Sequence, residues 1–241
     1  MKQSNIKQSV TICFPTYNEQ GNIHAVIDEC INMMRALPYT WDILVVDNCS
    51  TDDTLKIVDG FSRTHKNIGY IKHKENRGYA RSTRTAFENA KGEIIFVIDS
   101  DGQQTAKDIP KFIDKINEGY DIVVGWKVHR KDSAFRIIIS KVYNIIFNLL
   151  FNTKYHDVDC GFRALTREAA RKIKIVGFDV PVGAELFAKA KNYGMRTTEL
   201  PVKHFSRKKG QSVFIPWKMP FTISKIFLSL IVLRLKIKPK R

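Results

Sequence analysis

Between Val10 and Gly125, short β-branched and apolar runs alternate with longer segments whose apolar residues return at helical spacing. This alternation constrains the fold more than any other feature. Strands separated by helices can pair side by side only through crossovers that cover both faces of a mostly parallel sheet. The strand runs are Val10 to Phe14, Asp42 to Asp47, Ile68 to His73, Glu93 to Ile98 and Asp121 to Gly125. Between them Ile23, Val26, Ile27, Cys30 and Met34 recur at helical spacing, as do Ala80, Thr83, Phe87 and Ala90, and both sets read as core. The predicted class is α/β, an open, mostly parallel sheet with helices on both faces. A length of 241 residues, 44% hydrophobic, is enough for one substantial core, which excludes a disordered tail or a disulfide-stapled mini-protein.

In an open α/β sheet, ligands bind outside the carboxyl ends of the strands. That rule selects Pro15 to Glu19, Asp47 to Asp53 and Asp99 to Gln103. In Asp99-Ser100-Asp101-Gly102-Gln103, two carboxylates one residue apart follow an apolar strand, where they can meet a divalent cation while substrate phosphates complete its shell. Asp and Gly also make such turns for backbone reasons alone. Tyr17 could stack on a base and Asp47 or Asn48 could hydrogen-bond its edge, whereas Asp52 and Asp53 read equally well as helix N-caps.

From Arg136 to Phe151 the chain is almost wholly apolar, except that Arg136, Ser140, Asn144 and Asn148 recur every fourth residue. This is a helix with one narrow polar stripe, either buried with the stripe toward solvent, or lying against lipid with Arg136 and Ser140 toward an anionic ligand. A mixed region follows: a loop from His156 to Arg163, helices near Arg167 to Ile175 and Ala184 to Tyr193, and a strand-like Arg196 to Phe205. The tail segment Phe221 to Leu235 would span about 22 Å as a helix, short of the roughly 30 Å hydrocarbon core. With Thr222, Lys225, Ser229 and Lys236 near one face and Trp217 at the entry, it suits an amphipathic helix in a cytoplasmic leaflet. The alternative is a helix docked on the protein or on a partner subunit. The expected division is a catalytic domain over 1–212, including an interfacial helix over 136–151, and a basic membrane-associating tail over 213–241.

Forty Lys and Arg against 24 Asp and Glu give +16, so an anionic partner is expected. No acid follows Glu199, while eleven basic residues do, and these flank apolar helices instead of alternating with stacking aromatics. That distribution favours a membrane surface or phosphorylated ligands over nucleic acid. Cys13, Cys30, Cys49 and Cys160 lack the paired spacing of a zinc site and read as reduced. The stretch MKQSNIKQS has no apolar segment of a cleaved secretory signal, so the body is expected to be cytoplasmic.

PTYNE (15–19), VVDNCSTDDT (45–54), NRGYARSTRTAFENAKGE (76–93), VIDSDGQ (97–103), RIIISKVYN (136–144), DVDCGFRAL (157–165) and ELPVKHFSRKKGQS (199–212) follow one another along nearly the whole chain. In these stretches the sequence resembles the family 2 glycosyltransferases, nucleotide-diphospho-sugar transferases of the GT-A fold, and among them the dolichyl- and polyprenyl-phosphate mannose or glucose synthases. The resemblance implies inverting transfer of a hexose from a GDP- or UDP-sugar to polyprenyl phosphate, dependent on Mg²⁺ or Mn²⁺, peripheral to the cytoplasmic face of a membrane, with room for a membrane partner subunit. It implies nucleotide-sugar contacts at Pro15, Tyr17, Glu19, Val46, Asp47, Asn48, Asp99, Ser100, Asp101 and Lys127. The metal falls on Asp101 and Gln103, and the acceptor phosphate on Arg136, Ser140 and Arg207. The catalytic set is then Asp99, Asp101, Arg136 and Arg207, with Asp157, Gly161, Phe162 and Arg163 in a further motif loop.

Three positions depart from the family pattern. Asp47-Asn48 stands where two aspartates are common, Trp126-Lys127 where Ser-Arg is common, and Cys160 where Ser is common. Lys supplies charge but no bidentate fork, and a thiol is a weaker hydrogen-bond partner than a hydroxyl. Two other readings remain open: transfer to a hydroxyl acceptor in a surface polysaccharide, with a base such as Asp157, and a non-catalytic scaffold, against which the intact Asp99 to Gln103 run speaks.

Overall fold

The computed structural model of the chain describes residues 8–128, 134–176, 181–207, 209 and 219–237. The strands are β1 (Ser9–Thr16), β2 (Thr40–Asp47), β3 (Ile68–Lys72), β4 (Ile94–Val97), β5 (Ile122–Val128), β6 (Arg163–Thr166) and β7 (Thr197–Lys203). They form one sheet in the order β3-β2-β1-β4-β6-β5-β7. The helices are α1 (Ile23–Arg35), α2 (Thr54–Thr64), α3 (Gly78–Asn89), α4 (Ile109–Asn117), α5 (Ala134–Phe151), α6 (Arg167–Ile173), α7 (Val182–Asn192) and α8 (Met219–Lys236). The central strands β1 and β4 are covered on both faces, which is why they read as unbroken apolar runs.

The β1–β2 ladder is parallel and in register from Ser9↔Thr40 to Thr16↔Asp47, and β4 joins the other side of β1 with Cys13↔Val97. The carboxyl ends of β1, β2 and β4 therefore share one edge. The chain visits β2 on one side of β1 and β4 on the other, so this edge is a topological switch point. The sequence reading treated residues up to Arg163 as loop and did not anticipate β6. This four-residue strand runs antiparallel between β4 and β5, pairing Val97↔Arg163 and Val124↔Arg163. The segment leading into β6 is thereby laid across the carboxyl end of β4.

Of the two orientations open to helix α5, the structure has the one with the asparagines of the polar stripe turned inward. Asn144 is buried, its Nδ2 donating to the His156 carbonyl at 2.8 Å and its Oδ1 accepting from Val158 N at 3.1 Å. Asn148 Oδ1 accepts from Tyr155 N at 2.9 Å and from the Thr153 hydroxyl at 2.8 Å, and its Nδ2 donates to the Tyr155 carbonyl at 2.8 Å. These amides satisfy backbone groups of the following loop that no ladder reaches. The outward face is apolar instead: Phe135, Ile138, Val142, Ile145 and Leu149 repeat at alternating steps of three and four, with Leu149 77% exposed.

Helix α8 packs on α5 and α7, burying Leu230 and Leu233, and Arg234 Nε donates to the Leu150 carbonyl at 3.0 Å. The tail helix is thus docked on its own protein, and Ser229, placed on its polar face by the sequence pattern, is buried. The side chains of Thr222 and Lys225, Trp217, and the boundary at 212–213 lie outside the described residues. Leu228, Ile231, Val232 and Leu235 remain exposed. No helix among the described residues is long and apolar enough to cross a membrane.

Replacing Asn144 by Ala should cost about 1–3 kcal/mol, because it strands two buried backbone groups. Leu149→Ser should stay within about 0.5 kcal/mol of the parent. Urea unfolding of the two variants checks the orientation of α5, and the opposite ranking would refute it.

Candidate active site

The loop after β1 is built by a residue that tolerates a left-handed backbone. Asn18 has φ 53°, and its Oδ1 accepts from Thr51 N at 2.8 Å while its own N–H donates to Ser50 Oγ at 3.0 Å. Glu19 N donates to Thr54 Oγ1 at 2.8 Å, tying the same loop to the start of α2. Asp52 has a structural task, accepting from Thr54 N at 3.0 Å and from Gln20 N at 3.2 Å, whereas Asp53 occupies the N-cap position of α2 without a side-chain bond. Asp47 is buried and accepts from Ser50 N at 3.2 Å. Val46 is buried in β2. Neither lines the cleft described next.

A cleft of about 710 Å³ opens at the switch point. Pro15, Tyr17, Glu19, Asn48, Asp99, Ser100, Asp101, Gly161 and Arg207 all line it, drawn together from five segments of sequence. Its size falls in the range that holds a small ligand or cofactor. Asp101 Oδ1 accepts from Gln103 N at 3.0 Å, and its Oδ2 lies 3.8 Å from the Arg207 guanidinium. Arg207 also pairs with Glu19. The second oxygen of Glu19 accepts from Asn22 Nδ2 at 2.8 Å. Ser100 donates to the Pro15 carbonyl at 3.3 Å, pinning the β4 loop to the end of β1. Gln103 Nε2 donates to the Phe205 carbonyl at 3.1 Å, and Phe205 N returns a bond to the Gln103 carbonyl at 2.9 Å, which brings the Arg207 segment over the cleft.

Burial pushes the Asp101 carboxyl above the usual carboxylate range, reinforced by Asp99 and opposed by the Gln103 N–H and the Arg207 charge. Burial raises Glu19 too, against its bond from Asn22 and its pairing with Arg207. A chain of +16 has therefore gathered carboxylates at one point where their ionisation is costly. Asp99 and Asp101 offer hard oxygen donors of the kind Mg²⁺ and Mn²⁺ take, and a cation there would offset this crowding. Among the described residues no cluster of three or more His, Cys, Asp or Glu side chains could hold a metal alone, so such an ion would complete its shell with phosphate or water oxygens.

Asp99 is held by groups that the sequence reading did not single out. The Tyr79 hydroxyl donates to its Oδ1 at 2.8 Å, Gln104 Nε2 donates to its Oδ2 at 3.3 Å, and Asp99 N donates back to Gln104 Oε1 at 3.2 Å. Burial in the cleft wall, then the Asp99 charge, raise the Tyr79 phenol well above its ordinary value, so it remains a proton donor here. Gly161 packs directly on this carboxylate: a Cβ at that position would come 2.0 Å from Asp99 Oδ2. Only glycine fits.

Of the motif loop, Asp157 is buried. It accepts from Asp159 N at 3.2 Å and lies 3.8 Å from Lys127 Nζ, so it shapes the loop. Asp159, which the sequence reading passed over, lines the cleft, and its carboxyl is raised by desolvation between the cleft walls, against the Lys127 and Arg163 charges. Arg163 is fully buried, with Nε donating to the Cys160 carbonyl at 2.6 Å. Its Nη1 and the Tyr143 hydroxyl are buried without a hydrogen-bond partner among the described residues. Cys160 is buried, and its thiol is pushed up to about 12 by desolvation, so it is an inert packing group. Ser140 is half-buried in α5, and the Arg136 side chain lies outside the described residues.

Asp101→Asn should raise the apo melting midpoint, because it removes a charge whose ionisation the fold resists, and should abolish any Mn²⁺-dependent upward shift. The sign follows from linkage: a carboxyl raised on folding takes stability away as pH climbs through the ordinary carboxylate value toward the folded one. Thermal unfolding at pH 7 with and without Mn²⁺ tests both halves. A lowered apo midpoint, or an intact Mn²⁺ shift, would contradict the role given to Asp101.

The chain is similar to known proteins in sequence and in fold. Undecaprenyl-phosphate 4-deoxy-4-formamido-L-arabinose transferases of Salmonella choleraesuis and Salmonella typhimurium are each 28% identical over 211 residues, covering 86% of this chain and 63% of theirs. The chain thus spans under two thirds of the length of those relatives. Among solved structures, glucosyl-3-phosphoglycerate synthase from Mycobacterium tuberculosis with Mn²⁺ and UDP-glucose superposes with a TM-score of 0.71 at 15% identity, over 97% of this chain and 81% of that one. A mannosyltransferase from Pyrobaculum calidifontis with GDP-Man and Mn²⁺ superposes with a TM-score of 0.61 at 20% identity, over 94% and 72%. The sheet with its inserted antiparallel strand is thus the GT-A fold anticipated from the motifs. The family described as Glycosyl transferase family 2 matches residues 11–174, from β1 through α6, and the chain belongs to it.

Proposed function

We propose that this chain transfers a hexose, with inversion, from a nucleotide-diphospho-sugar to a polyprenyl phosphate, using Mg²⁺ or Mn²⁺ at the cytoplasmic face of a membrane. The observation that carries the reading is the cleft itself, where Asp99, Asp101 and Arg207 meet at the switch point. The names of the Salmonella relatives, which specify undecaprenyl phosphate, support a polyprenyl acceptor. The solved neighbours hold Mn²⁺ with UDP-glucose or GDP-Man, which supports a hexose donor and a divalent ion.

In the reaction, an acceptor phosphate oxygen forms a bond to the anomeric carbon as that carbon's bond to the leaving diphosphate breaks. A cation held at Asp99 and Asp101 would neutralise charge on the leaving diphosphate. Arg207, 3.8 Å from Asp101, stands beside the same charge and can meet phosphate with two directed bonds. Tyr79 and Gln104 fix the Asp99 carboxylate before substrate arrives. The acceptor is already an anion near pH 7, so positioning replaces a general base. Arg136 and Ser140 on α5 are assigned to orient it.

A specific observation favours one rival. Asp159, open to the cleft and with a raised pKa, has the character of a base for a hydroxyl acceptor, which the buried Asp157 lacks. Under the proposed reading, Asp159→Asn keeps transfer to polyprenyl phosphate within several-fold of the parent. A drop of roughly a hundredfold or more in that assay would move the assignment to hydroxyl transfer.

Membrane association rests on the joint outward face of α5 and α8, where Ile145, Leu149, Leu228 and Leu235 stand in water beside the exposed Arg234 and Lys236. Tyr143 and Asn144, on the opposite side of α5, abut the motif loop, so a lipid-bound α5 would hold the cleft close to the bilayer. Because α8 also packs on the core, point changes test this better than truncation. The double variant Leu149→Glu/Leu235→Glu should lose flotation with anionic liposomes while keeping its melting midpoint. Undiminished flotation would exclude this face as the contact.

A further inference from the structure

Two side-chain amides at the carboxyl ends of β2 and β3 have an orientation that the backbone decides. Asn76 Oδ1 accepts from Gly78 N at 3.0 Å, and Asn48 Oδ1 accepts from Arg77 N at 2.9 Å. A backbone N–H can only donate, so each of these atoms must be the amide oxygen. It follows that Asn48 Nδ2, 2.8 Å from Asn76 Oδ1, is the donor in that pair. His73 Nδ1, 3.1 Å from Asn48 Oδ1, must likewise donate, which leaves its Nε2 to accept from the Thr85 hydroxyl at 3.0 Å. This is the neutral form of His73, in keeping with a pKa lowered by burial and by Arg77.

Both amide oxygens are now used twice: Asn48 Oδ1 by Arg77 N and His73, Asn76 Oδ1 by Gly78 N and Asn48. Each has two acceptor sites, so neither has one left. Both residues line the cleft, and what they can still offer a ligand is N–H. The end of the cleft formed by β2 and β3 is therefore an edge of hydrogen-bond donors.

We infer that this edge reads the nucleobase, and that it selects uracil over guanine. The inference rests on the nucleotide-sugar reading above. With the diphosphate at Asp99, Asp101 and Arg207, beyond the end of β4, the base reaches the other side of β1, at Asn48 and Asn76 beyond β2 and β3. Uracil presents two carbonyl acceptors on its pairing edge, flanking a single N–H. Guanine presents one carbonyl followed by the N1–H and N2–H₂ donors, which would face donors here. Donors that meet donors disfavour that ligand, most of all at the buried Asn48, because groups on both sides lose their water without gaining a partner. Asn48, which replaces the second aspartate common in the family, is central to this. A carboxylate there would supply acceptors only, while the amide turns a nitrogen toward Asn76 and keeps its oxygen for the backbone.

Calorimetric titration of the full chain with UDP and with GDP, each with Mn²⁺, tests the inference. UDP should bind more tightly by roughly tenfold or more. Asn76→Asp keeps an oxygen for Gly78 N and Asn48 Nδ2 but replaces the exposed donor by an acceptor. In that variant UDP should weaken, GDP should strengthen, and the preference should shrink several-fold. Asn48→Asp should act in the same direction, and if it fails to fold, Asn76→Asp carries the test alone. GDP binding as tightly as UDP in the parent, or an unchanged ratio in Asn76→Asp, overturns the base assignment and leaves the transferase reading standing. Binding of neither nucleotide in the presence of Mn²⁺ overturns the transferase reading itself.

Discussion

The contact between the Asp99 carboxylate and Gly161 sets the geometry of the cleft, and it exists because β6 runs against its neighbours. A parallel strand in that place would deliver its preceding loop to the opposite edge of the sheet. Running antiparallel, β6 begins where β4 ends, and residues 157–162 close over the β4 carboxyl terminus. Phe162 holds the closure from behind, with its ring 4.8 Å from Phe96 and 5.0 Å from Phe112, both edge-on. Asp99 is thereby gripped between Gly161 and the Tyr79 hydroxyl, from two other segments of the chain, and Gln104 of its own loop.

Electrostatics follow from that closure. The protein is strongly basic, yet the floor of its cleft is acidic and partly desolvated, with Asp101, Glu19 and Asp159 all shifted toward their protonated forms. Unrelieved carboxylates of this kind cost stability in the empty protein and gain it back when a cation or guanidinium is present. Arg207 supplies part of that compensation, reached through the bonds between Gln103 and Phe205. The cleft is thus balanced for a ligand that brings positive charge with it.

Helix α5 connects the cleft to the outer surface. Its asparagines face inward and carry the loop that leads into β6, so the same helix that presents Leu149 to the outside positions Asp157, Asp159 and Gly161 on the inside. Helix α8 packs on α5 and is itself anchored by Leu230 and Leu233.

The sequence alone was sufficient for the positions of the first five strands along the chain, for the edge on which ligands gather, and for half of the residues that line the cleft. Periodicity and the strand–loop–helix rhythm are local properties, and the switch-point rule converts them into a place. It was insufficient where a choice depended on neighbours distant in the chain. Four residues of β6 carry too little pattern to announce a strand, and only pairing with β4 and β5 makes one. A stripe of Asn residues shows that one face differs, but which face is inward depends on a loop with unsatisfied backbone groups. Asp157 and Asp159 are equivalent as letters; Lys127, from β5, sits beside the first, while the second lines the cleft. Likewise the amide of Asn48 could have turned either way, and it is Arg77, 29 residues on, whose N–H fixes the oxygen and turns the nitrogen toward Asn76.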